Sequence, residues 1–127
     1  KAGTVLIGTV KGDVHNIGKN IVATVLETHG FEVIDIGVDN PSLNFIQEAE
    51  KVKAQVIALS SLMTTTMPGQ KEVIETLKEM HLREKYFVIV GGGPVTQEWA
   101  DKIGADGYGR SAVQAVEIVK KLLGERI

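Results

Sequence analysis

The stretch Thr9-Val10-Lys11-Gly12-Asp13-Val14-His15-Asn16-Ile17-Gly18-Lys19-Asn20 decides how this chain is read. An apolar run from Thr4 to Val10 leads into it, and a helical apolar pattern leaves it. The stretch is therefore a strand-to-helix loop, and in open parallel sheets ligands bind in the crevice outside such strand ends. It holds one histidine, with an aspartate two positions earlier. Glycines on either side allow a tight turn and close approach of backbone to a ligand. His15 is expected to ligate a metal, with Asp13 setting its tautomer and basicity.

Outward from this loop, strands and helices alternate. The first helix is expected over about residues 18–29, with Ile21, Val22, Val25 and Leu26 on its inner face, and Gly30 as a left-handed cap. Residues 32–36 read as the second strand. Ser42 is the expected N-cap of the next helix, which turns Phe45, Ile46, Ala49 and Val52 inward. Residues 56–59 form the third strand, apolar throughout, as when both faces are covered. It opens into Ser60-Ser61-Leu62-Met63-Thr64-Thr65-Thr66. Pro68 suits the first turn of a helix to about His81 that buries Val73, Ile74, Leu77 and Met80.

Residues 87–90, the fourth strand, run into Gly91-Gly92-Gly93-Pro94. Thr96 caps a short helix through Ile103, and residues 104–108 make a weak edge strand. Ser111 and Gln114 form a capping box for the last helix, which carries Val113, Val116, Val119 and Leu123. Met63, Met67 and Trp99 read as packing residues. The alternation predicts an α/β fold: a doubly wound, five-stranded parallel sheet of flavodoxin-like (Rossmann-like) type, in strand order 2-1-3-4-5.

Composition sets bounds. At 127 residues the chain reads as one domain, 1–127, with a single core. A net charge of −2 gives no electrostatic case for nucleic acid or an anionic membrane surface. The absence of cysteine excludes disulfides, thiolate zinc sites and iron–sulfur clusters. No apolar run approaches the roughly 20 residues of a membrane span, and no signal peptide opens the chain, so a cytoplasmic location is expected. The start at Lys1, without methionine, suggests a piece of a longer polypeptide.

Under the expected topology three unusual loops meet at one sheet edge: Asp13 and His15 after the first strand, the serine–threonine cluster after the third, and the glycine run after the fourth. Thr66 or Thr64 would extend an Asp–His relay, and the glycines would admit a slim ligand arm. His29 and His81 fall at helix C-termini, where an imidazolium suits the macrodipole. One histidine is too few for a free zinc ion, which takes three or four protein ligands. A lone axial histidine fits a metal already chelated by a macrocycle, haem or corrinoid, and an open slot favours one with a long tail.

Asp13-x-His15-x-x-Gly18, with Ser60-x-Leu62 and Gly91-Gly92 following in order, resembles the cobalamin-binding signature of methionine synthase and the corrinoid methyl-carrier proteins. The run Gly12 to Val22 resembles the methyl-transfer branch, and the likeness covers essentially the whole chain. The resemblance implies a corrinoid bound base-off and His-on, with His15 as lower axial ligand to cobalt. Asp13 and then Thr66, where methionine synthase has a serine, would support that imidazole. Gly12, Asp13, Val14, His15, Asn16, Ile17 and Gly18 would lie at the cofactor, while Ser60, Leu62, Gly91, Gly92 and Gly93, with Thr64 and Tyr108 close by, would hold its nucleotide tail.

The same resemblance implies a carrier rather than a catalyst, moving a methyl group on cobalt between cobalt(I) and methylcobalamin. Its partners would be a donor-specific methyltransferase, an acceptor methyltransferase serving tetrahydrofolate or coenzyme M, and a reductive activase. The helical cap domain that precedes the cobalamin module in such carriers has no counterpart in residues 1–127. The alternatives are the cobalamin subunit of an adenosylcobalamin mutase, a cobalamin-sensing regulatory domain, and a receiver or flavodoxin sharing only the topology.

Overall fold

The inner strands are apolar on both sides because helices cover both faces of the sheet. In the computed structural model, which describes residues 2–124, five strands form one parallel sheet: β1 (Thr4–Thr9), β2 (Glu32–Asp35), β3 (Val56–Ser60), β4 (Phe87–Gly91) and β5 (Gly107–Tyr108). Their order is β2-β1-β3-β4-β5, the flavodoxin-like arrangement the alternation predicts. The helices are α1 (Ile17–Thr28), α2 (Ser42–Val52), α3 (Pro68–Glu79), α4 (Gln97–Ile103) and α5 (Ala112–Gly124). None of the described helices is long and apolar enough to cross a membrane.

Two cores result from the pleat, which sends successive side chains to opposite faces. Leu6, Ile57, Leu59, Val88 and Val90 pack with Phe45, Ile46 and Ala49 of α2, with Val73, Ile74 and Leu77 of α3, and with α4. Val5, Ile7, Val56, Ala58 and Ile89 pack with Ala23 and Leu26 of α1 and with Val116, Val119 and Leu123 of α5. Strand order reverses between β1 and β3, so a crevice opens above their tips.

Several local expectations change. Pro41, not Ser42, is the N-cap of α2; the helix begins at Ser42, whose hydroxyl donates to Glu72 Oε1 on α3 at 2.9 Å. Met80 is exposed because α3 ends at Glu79 and the chain turns away. Ile21 and Val113 are also exposed, although their spacing matches the buried stripes of α1 and α5. Both lie in the first two turns of their helices, beyond the sheet's cover. The capping box of α5 is offset. Ser111 Oγ accepts from the Gln114 amide at 3.2 Å, but Gln114 Oε1 accepts from Arg110 N, one residue before the cap. Thr96 caps α4 as expected, accepting from Trp99 N.

The glycine run is fixed by backbone approach. Gly92 has φ +128°, and a Cβ there would lie 1.7 Å from the Ser61 carbonyl oxygen, so only glycine lets the β4 loop close onto the β3 loop. At Gly93 a Cβ would meet only Leu62 Cδ1 at an ordinary 3.6 Å. Gly92→Ala is therefore expected to cost about 3 kcal/mol, and Gly93→Ala less than about 0.5 kcal/mol. Urea unfolding of both variants measures this; equal losses would contradict the packing described.

Candidate corrinoid site

At the strand tips the residues facing α1 and α5 become small. Register places Thr9, Ser60 and Gly91 in one row, one pleat beyond Ile7, Ala58 and Ile89. With little side chain to fill it, the space between the sheet and the first turns of α1 and α5 forms an open groove of about 370 Å³. Ser60, Leu62, Gly91, Gly92, Gly93, Tyr108 and Gly18 line it, all named from the sequence. Thr64 does not line it and is exposed. Gly12, Val14, Asn16 and Ile17 lie outside the lining, on the loop and helix start beside its mouth.

Above this groove stands the histidine loop, built around a buried carboxylate. Asp13 has no exposed surface. Its Oδ1 accepts from the His15 amide at 3.0 Å and pairs with His15 Nδ1 at 2.8 Å. Its Oδ2 accepts from the Leu62 amide at 2.8 Å and from Thr66 Oγ1 at 2.7 Å. Burial raises the Asp13 pKa, but the bonds from Thr66, Leu62 and His15 outweigh it and bring the group down to about 2. An ionised carboxylate only accepts, so Nδ1 of His15 carries the proton, and in the neutral ring Nε2 keeps its lone pair free. The His15 side chain is 51% exposed and held by its inner edge. Ser61 Oγ lies 2.8 Å from Thr66 Oγ1, so the relay runs through Thr66, not Thr64.

Other parts of the support were not visible in the sequence. Thr9 Oγ1 donates to the His15 carbonyl at 3.0 Å. Asp39, at φ +53°, accepts from Gly12 N at 2.7 Å and donates its own amide to the Asp13 carbonyl, so the β2–α2 loop braces the turn. Lys19 is buried; its ammonium spans both oxygens of Asp35 at 2.6 and 2.7 Å and Asn20 Oδ1 at 2.7 Å, tying α1 to the end of β2. Lys19, Gly109, Arg110, Ala112 and Ala115 also line the groove. The small residues opening α5 were the one signal in the sequence for that wall.

The residues present fit a tailed macrocycle. Among the described residues, five of the six exposed large hydrophobic residues, Val14, Ile17, Ile21, Leu43 and Val113, sit on the histidine loop or in the first turns of the helices that follow the strand tips. No group of three or more His, Cys, Asp or Glu side chains able to hold a bare metal ion occurs among the described residues. One outward imidazole nitrogen, an apolar platform and a deep side groove suit a flat metal chelate with a projecting arm. The fold and site define a doubly wound domain that presents one outward-facing histidine of the tip loops beside a slot.

The chain belongs to the B12 binding domain family, which matches residues 3–117. The family's cofactor is a corrinoid. Dimethylamine corrinoid protein 3 of Methanosarcina mazei is 58% identical over 123 residues, covering 97% of this chain and 74% of that protein. The monomethylamine corrinoid protein of Methanosarcina barkeri superposes with TM-score 0.92 at 36% identity, covering 96% of this chain and 58% of that one. The methanol:cobalamin methyltransferase complex of the same organism matches with TM-score 0.90 at 36% identity, over 97% of this chain and 47% of that one. The chain thus spans about half to three quarters of these relatives.

The depressed pKa of Asp13 sets an acid limit on stability. The stabilisation is complete above the ordinary value of 3.8 and fades as pH falls through about 2. The stability advantage of wild type over Asp13→Asn is expected to shrink by about 2 kcal/mol from about pH 5 to about pH 2. Urea unfolding across that range measures it; a constant difference would show that Asp13 is not held ionised.

Proposed function

We propose that this domain is the cobalamin-binding part of a cytoplasmic methyl-carrier protein that holds its corrinoid base-off and His-on. The observation that carries the reading is the geometry of His15. Its Nδ1 edge is locked to a buried carboxylate and its Nε2 edge is left for a metal. The bound corrinoid would supply a cobalt centre able to accept and release a methyl group.

The chain's own residues orient and tune that centre. His15 would give the lower axial nitrogen, oriented by Asp13 in the way a carboxylate orients a metal-bound histidine. Asp13 and Thr66 provide a hydrogen-bonded path on which a proton is held when the imidazole is not ligated. Val14 and Ile17 would lie against the lower face of the ring. Ser60, Leu62, Gly91, Gly92, Gly93 and Tyr108 would enclose the displaced nucleotide, with Gly18 at the start of α1; Thr64, being exposed and off the lining, would take no part.

The 58% identity to a dimethylamine corrinoid protein supports a methylated amine as the methyl source. The likeness to a methanol:cobalamin methyltransferase complex supports a methyltransferase as partner; an acceptor methyltransferase is the second partner of the proposal. A reductive activase and a cover for the upper face, from a partner or from a further segment like those of the longer relatives, complete the proposal. The mutase and sensor alternatives draw no support from these relatives.

Titration with hydroxocobalamin tests the reading by visible absorbance. Wild type is expected to bind and change the spectrum as the lower base is exchanged. His15→Ala is expected to bind at least about tenfold more weakly and to show the bands of a corrin without a nitrogen lower ligand. Identical spectra for the two proteins would overturn the assignment of His15.

A further inference from the structure

Gln70 has no exposed surface, and both polar atoms of its carboxamide are hydrogen-bonded. Nε2 donates to the Leu59 carbonyl at 3.0 Å and the Gly91 carbonyl at 3.1 Å, and Oε1 accepts from Trp99 Nε1 at 2.9 Å. One side chain of α3 thus joins the tip of β3, the tip of β4 and the first turns of α4. Two of its partners, Leu59 and Gly91, line the groove. The Gly91 carbonyl also accepts from Ser61 N at 3.1 Å, which sets the entry to the Gly92 turn.

α3 reaches this position by close approach. A Cβ at Gly69 would meet Val10 Cβ at 2.9 Å, so the helix start sits directly on the end of β1, and Gln70 extends between the tips of β3 and β4. A hydrophobic residue would fill this buried space as well. The carboxamide does something an apolar side chain does not: it holds two carbonyls of adjacent strands at a fixed separation where the sheet ladder ends.

We infer that Gln70, backed by Trp99, is a positioning residue for the slot: it sets the spacing of the β3 and β4 tips and so decides how well the domain holds a corrinoid's nucleotide tail. The inference rests on the proposed binding of a corrinoid here, and goes beyond it by separating tail recognition from axial ligation. None of the Gln70 side-chain hydrogen bonds goes to His15, Asp13 or Thr66, so its loss should leave ligation intact.

The test compares two probes on the full chain: hydroxocobalamin, which carries the nucleotide tail, and diaquocobinamide, which lacks it. For Gln70→Met, which loses all three carboxamide bonds, the affinity for hydroxocobalamin is expected to fall roughly tenfold, while that for diaquocobinamide stays unchanged. Trp99→Phe, which removes the indole donor along with the smaller ring but keeps an aromatic side chain, is expected to move the ratio the same way by a smaller factor. It also serves if Gln70→Met does not fold. A merely structural role would weaken both probes together, and an unchanged ratio of affinities in the folded variants would overturn the inference. Failure of unaltered protein to bind either probe would instead refute the corrinoid reading itself.

Discussion

The structure depends on satisfying one carboxylate. Asp13 is fully buried, and a buried charge is tolerated only when its oxygens are hydrogen-bonded. Its four donors come from two loops: the amide and ring of His15 after β1, and Leu62 N and Thr66 Oγ1 after β3. The same contacts therefore stitch the two strand tips across the crevice and aim the imidazole. Stability and site geometry are consequences of one interaction, and a side chain that could not accept four bonds would loosen both.

The crevice becomes a slot through what is missing from the sheet's upper row. Below it, Ile7, Ala58 and Ile89 carry the core under α1 and α5; above it, Ser60 and Gly91 leave room. Lys19 on Asp35 and Asp39 on Gly12 brace the β1 side of the opening, and Gln70 braces the β3–β4 side. A groove held from both sides is preorganised, and preorganisation lessens the ordering that binding would otherwise require.

The helices and the Asp13–His15 pair were legible because each is local: period, caps and a short motif lie within a few residues of one another; the strand order followed from the regular alternation and the crossover rule. What was not legible is long-range. Nothing near Gln70 in the chain announces Leu59, Gly91 or Trp99, and nothing near Gly12 announces Asp39. Ile21 and Val113 show a second limit. Helical spacing marks an apolar face without saying what covers it: Ile21 lines the groove instead of the core, and Val113 is simply exposed. Ser42 failed for a smaller reason: Pro41, with its fixed φ, took the cap position, and the serine was left to bond α3.

The central claim is a bond between one imidazole and a corrin's cobalt. Electron paramagnetic resonance of the chain loaded with cob(II)alamin reads that bond, since the unpaired electron couples to the axial nitrogen. Protein grown with ¹⁵N-histidine is expected to turn each nitrogen triplet into a doublet. Triplets that persist after labelling would mean that the cofactor's own base stays on the metal, contradicting the account.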